Sequence, residues 1–127
     1  MLILLLASPM LCAGEVAFKL SLSTGGREEV REVQRIALSL PKGNAVSAKW
    51  EGHIVTARRG EVVFTAKVRG VFKVTINGRL LLEGAGDSIA QSMDKGVMLE
   101  AGANQLVAEF HSDGTEDAVV ELDWKPR

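Results

Sequence analysis

The sequence predicts an all-β chain folded as an antiparallel β-sandwich. Three observations predict it. Apolar and polar residues alternate with a period of two along most of the chain, glycine-rich turn signals separate the alternating runs, and no long stretch has a helical period. Short strands punctuated in this way fit two packed antiparallel layers, each with one face in the core and one in water.

Taken in order, Val16, Phe18, Leu20 and Leu22 share one face of the first run, with Ala17, Lys19 and Ser21 opposite. Arg27 to Arg35 is charged and short, and reads as a loop or single turn leading into the next strand. Ile36, Leu38 and Leu40 alternate up to Pro41. Val46, Ala48, Trp50, Gly52 and Ile54 form the next inward set. Phe64, Ala66 and Val68, and then Phe72, Val74 and Ile76, lie on either side of Arg69-Gly70. Asn77-Gly78 follows, a dipeptide suited to a type I′ hairpin because both central residues need positive φ. Val62 to Glu83 therefore reads as a three-stranded meander with tight turns at Arg69-Gly70 and Asn77-Gly78. Leu106, Ala108 and Phe110, then Ala118, Val120, Leu122 and Trp124, complete the pattern, and both tryptophans read as core.

At 127 residues there is room for one domain behind an export signal. Residues 1–14 carry no charge and have the length of a signal peptide's apolar core, with small residues at Ala13-Gly14 and without a positively charged n-region. The expected organisation is a signal peptide over 1–14 and a β-sandwich domain over 15–127, secreted or periplasmic, with no membrane span once the signal is removed. Cys12, the single cysteine, would leave with the signal, and a cysteine-free domain suits an oxidising compartment. A lipid anchor on Cys12 is a poorer fit, because Pro9-Met10-Leu11 does not resemble a lipobox.

Composition excludes more than it proposes. One cysteine and two histidines leave no disulfide scaffold, no cysteine-based zinc site and no haem attachment motif. Fifteen basic and sixteen acidic residues give a net charge of −1, so no nucleic-acid footprint is expected. His53 and His111 fall on polar strand faces without informative spacing, and nothing resembles a nucleophile elbow. Asp113, Glu116 and Asp117 share a loop that fits no calcium-binding pattern and reads as a solvated turn. Gly84-Ala85-Gly86 matches no phosphate-binding loop. Charge is nonetheless segregated: Arg58, Arg59, Lys67, Arg69, Lys73 and Arg79 make the middle basic, and the stretch from Glu83 to Asp123 is acidic. A solvated strand face accounts for most of this; docking on a partner or an acidic glycan is the sharper alternative.

Five segments, in order, resemble PA14 domains. Trp50-Glu51-Gly52-His53-Ile54 resembles their Trp-x-Gly-aromatic-Ile motif, and Gly60-Glu61-Val62-Val63-Phe64 their Gly-x-Tyr-x-Phe strand. Val74 to Leu80 resembles their Ile-(Asp/Asn)-Gly-(Lys/Arg) hairpin, Leu99 to Leu106 their Leu-x-Ala-Gly loop, and Ala118 to Trp124 their closing strand. The matches span residues 46–124. The resemblance implies a non-catalytic, secreted recognition module with carbohydrate as the expected ligand. The alternative it implies is a structural or protein-interaction subunit accompanying a secreted enzyme or a c-type cytochrome. Sugar-binding relatives hold calcium with an Asp-Asp pair; the corresponding turn here reads Val68-Arg69-Gly70-Val71, so neither calcium nor another cofactor is expected. Position in the hairpin loops makes Arg69, Asn77, Arg79, Glu83 and Asp87 the expected ligand-binding residues.

Overall fold

The computed structural model describes residues 16–92 and 96–126, with side chains for 17–84 and 96–126. The signal-like segment 1–14 and Cys12 lie outside the described residues. Among the described residues nine strands form one antiparallel system: β1 (Val16–Thr24), β2 (Arg27–Val33), β3 (Ile36–Leu40), β4 (Val46–Thr56), β5 (Gly60–Ile76), β6 (Arg79–Ser92), β7 (Val97–Leu99), β8 (Gly102–Ser112) and β9 (Ala118–Pro126). The hydrogen-bonded order is β2-β1-β4-β8-β5-β9-β3, with β6 and β7 also paired to β5. No helix among the described residues is long and apolar enough to cross a membrane.

β5 makes the sandwich. From Val62 to Arg69 it pairs with β9, and from Val71 to Ile76 with β8. Gly70, at φ 136°, stands between the two ladders. The β6 ladder breaks at the same place, between Val68↔Ile89 and Gly70↔Gly86. The β5–β6 ribbon thus folds over at Gly70 and passes from one layer to the other, a corner of the kind that bends and bulges create in packed sheets. One layer is β2-β1-β4-β8 with the later part of β5 and the start of β6. The other is β3-β9 with the earlier part of β5, β7 and the end of β6. The expected meander is corrected here: Phe64–Val68 and Phe72–Ile76 do not pair with each other. Even-numbered residues face inward on both sides of Gly70, so each half reads as a strand, but periodicity does not reveal its partner.

The expected loop at Arg27 to Arg35 is also corrected: residues 27–33 form edge strand β2. The register sets Arg31 opposite Leu20 and Glu29 opposite Leu22, so charged side chains occupy the core-facing side of an edge strand. Inward-pointing charge at an edge discourages pairing with another chain. It also erases the apolar alternation by which strands are recognised.

Both layers close on one core that includes Phe18, Trp50, Phe64, Phe72, Leu99, Leu106 and Leu122. Trp50 is fully buried, as expected. Trp124 is only half-buried, at the sandwich's side; its ring lies 6.2 Å from Phe18 and 5.8 Å from Phe64, which joins β9 to β1 across the layers. The buried indole Nε1 of Trp50 has no hydrogen-bond acceptor among the described residues. Trp50→Phe removes ring volume and an unpaired donor together, so it should change stability by about 1 kcal/mol or less. Urea denaturation followed by far-UV circular dichroism checks this.

Candidate functional site

The strand ends gather polar and charged side chains at two places. At the bend end, Gly70 meets the loop between β8 and β9. At the hairpin end, the Asn77-Gly78 turn approaches the loop between β7 and β8. The five residues expected to bind ligand are divided between them. Arg69 is at the bend end, whereas Asn77 and Arg79 are at the hairpin end. Glu83 lies along β6 opposite Lys73, and the Asp87 side chain lies outside the described residues.

The bend-end cleft has a volume of about 290 Å³. Arg69, Val71, His111, Asp113, Thr115, Glu116 and Asp117 contribute to its lining. Arg69 is half-buried, and Val71 exposes 48% of its surface. The His111 ring nitrogen Nδ1 lies 3.1 Å from Ser47 Oγ on β4. The acidic loop is organised by its own backbone. Asp113 Oδ1 accepts hydrogen bonds from the Thr115 amide at 3.0 Å and the Thr115 hydroxyl at 2.7 Å, and Asp117 Oδ1 accepts from the Lys42 amide at 2.9 Å. The Thr115 bonds, helped by nearby His111, hold the Asp113 carboxyl below its ordinary value. A carboxylate with a depressed pKa favours the folded loop above its unfolded pKa, and that support is lost as pH falls through the lower folded value. In an acid titration followed by NMR, the Thr115 amide shift should therefore move only below the ordinary aspartate range. Thr115→Val should raise that midpoint. From the sequence, His111 reads as a polar strand-face residue and Glu116 and Asp117 as part of a solvated turn; the fold brings all three to one cleft with Arg69, and the segregation of basic and acidic stretches is the sequence signal that bears on it.

At the hairpin end, Asn77 and Gly78 have φ of 50° and 81°, the expected type I′ turn. The Asn77 side chain is committed within the fold: Oδ1 accepts from the Gln105 amide at 2.9 Å, and Nδ2 donates to Asn104 Oδ1 at 3.0 Å. Asn104 is fully buried. Its Oδ1 also accepts from the Glu100 amide, and its Nδ2 faces the carbonyls of Ile54, Glu100 and Gly102. One amide thus ties the end of β4, the loop before β8 and the hairpin together.

This architecture matches solved structures over nearly the whole chain. The PA14 domain of an antifreeze protein superposes with a TM-score of 0.61 at 12% identity, covering 94% of this chain and 85% of that one. A PA14 sugar-binding domain from an RTX adhesin gives 0.58 at 9% identity, with 91% of each chain covered. The chain has the PA14 fold. A β-glucosidase from Kluyveromyces marxianus contains a similar unit, with a TM-score of 0.66 at 17% identity. The match covers 88% of this chain but only 16% of the glucosidase, so the likeness is to one module of a larger enzyme. No family model matches the sequence, and no curated protein matches it.

Within this PA14 fold the turn at Gly70 does not fit calcium. The residue before Gly70 is Arg69, a cation in place of an oxygen ligand, and among the described residues no three His, Cys, Asp or Glu side chains could hold a metal ion. Hard cations need several converging oxygens.

Proposed function

We propose that the chain is a secreted, non-catalytic PA14 module that binds carbohydrate in the bend-end cleft without calcium. The observation that carries this reading is the lining of that cleft. A guanidinium, an imidazole, two hydroxyls and three carboxylates surround a space sized for one sugar ring, beside an exposed valine. Planar charged groups of this kind grip neighbouring hydroxyls in pairs, and a small apolar patch takes the ring face. The sugar-binding adhesin domain of the same fold supports the ligand class. A glycan array probed with the protein, with and without a calcium chelator, tests it. Binding to a defined glycan that the chelator leaves unchanged and Arg69→Ala weakens at least roughly tenfold is expected. An array without binders would overturn it.

A second reading, favoured by the occurrence of this fold inside glycosidases, is a structural or interaction subunit that accompanies a secreted enzyme. Affinity capture from the native medium or periplasm that returns no stable enzyme or cytochrome partner would remove it.

A further inference from the structure

A second cleft opens at the hairpin end, in the gap between the start of β6 in one layer and β7 in the other. Its volume is about 710 Å³, within the range of small-molecule sites. Ile76, Leu81 and Val97 line it, and Leu80 and Met98 form exposed lips, 57% and 41% accessible. Exposed large apolar residues are ordinarily scattered; here two share one concave surface with Ile76, Leu81 and Val97, interleaved with the polar side chains of Arg59, Asn77, Arg79 and Glu100, a surface of mixed character that suits an amphiphile.

The polar groups of this cleft are as specific as its apolar ones. Arg59 Nε pairs with the Glu100 carboxylate at 3.4 Å on the rim. Asn77 is committed to Asn104 and Gln105. Arg79 is different. It registers opposite inward-facing Ile76 at the very end of the ladder, lines the cleft, and makes no ion pair with a described residue. A guanidinium is permanently charged and forks onto a carboxylate or phosphate.

We infer that this cleft binds an anionic amphiphile, a molecule with an apolar body and one carboxylate, phosphate or sulfonate group that pairs with Arg79. A hydroxyl-rich sugar would make little use of the exposed Leu80 and Met98 side chains, which an apolar body covers. An added peptide strand is equally poor, because β6 is bulged at Leu81, between Val74↔Leu82 and Thr75↔Leu80, and offers no regular ladder there. The site lies at the opposite end of the sandwich from the proposed sugar cleft and does not depend on it.

The test uses the full chain and 1-anilinonaphthalene-8-sulfonate, an aromatic sulfonate whose fluorescence rises in apolar sites, displaced by dodecanoate or by dodecanol. Saturable binding at one site per chain is expected. Leu80→Asp, at an exposed position, should abolish it, and Arg79→Ala should weaken it roughly tenfold, the scale of a lost charge-assisted hydrogen bond. Dodecanoate should displace the probe at concentrations roughly tenfold below those dodecanol needs. Unchanged near-UV circular dichroism shows that each variant keeps its fold. Binding that neither substitution alters would overturn the site, and displacement by dodecanol as readily as by dodecanoate would overturn the role of Arg79.

Discussion

Gly70→Ala is expected to lower folding stability by about 3 kcal/mol, a sizeable part of what a domain this small possesses. Two effects add. At φ 136° an L side chain is strained, at roughly 1–3 kcal/mol. The new methyl would also meet the His111 carbonyl oxygen at 2.8 Å and the Phe110 ring at 2.8 and 2.9 Å. Neither neighbour yields easily, since the carbonyl belongs to the β8 backbone and Phe110 is buried in the core; such overpacking adds about 1–3 kcal/mol. Gly78→Ala is the control. Gly78 also has positive φ, but nothing lies within 4 Å of the added carbon, so a loss of only about 1 kcal/mol is expected. Denaturant midpoints of the two variants measured side by side check the difference. Equal losses would mean that close approach at the bend contributes nothing.

Asn104→Ala should cost about 3 kcal/mol as well, through hydrogen bonding rather than sterics. The substitution removes the acceptor of the Glu100 amide and the donor shared among the carbonyls of Ile54, Glu100 and Gly102. Each buried group left unpaired costs about 1–3 kcal/mol. Asn104→Asp should not rescue the loss. It keeps the acceptor but sets a second oxygen against three carbonyls, and it adds charge at a fully buried position. Hydrogen exchange localises the effect. The Glu100 amide should exchange faster in both variants, while amides of the β1–β4 ladder near Trp50 keep their protection relative to global stability.

Those two residues also mark how much was legible beforehand. The strands, the inward faces and the Asn77-Gly78 turn follow from period-two alternation and from positive φ, both of which are local. Gly70 was visible as a turn signal, but a hairpin and a fold-over between layers use the same local chemistry. The difference lies in which distant strand, β8 or β9, each half of β5 meets. β2 was hidden for a related reason. Arg27, Glu29 and Arg31 sit on the core-facing side of an edge, where the alternation that identifies a strand is absent.

The candidate sites were less legible than the fold. Arg69 and Arg79, ten residues apart in sequence, are both expected ligand-binding residues by their place in the hairpin loops, and each lines a cleft at a different end of the sandwich. Arg69 gains His111 and the 113–117 loop only because β5 crosses at Gly70 and pairs with β8 and β9. Arg79 gains Met98 and Val97 only because β7 pairs with the first residues of β5. The grouping depends on contacts between segments separated by tens of residues, which no local pattern encodes.

By itself the sequence determined an antiparallel β chain, its inward faces, its hairpin and its resemblance to PA14 domains. Tertiary structure alone decided which strands pair, that β5 serves both layers, that Asn104 knots the hairpin end, and which charged side chains share a cleft. The physical reason is that alternation and turn chemistry act over a few residues, whereas layer closure and the two clefts are set by burial and hydrogen bonding between distant segments.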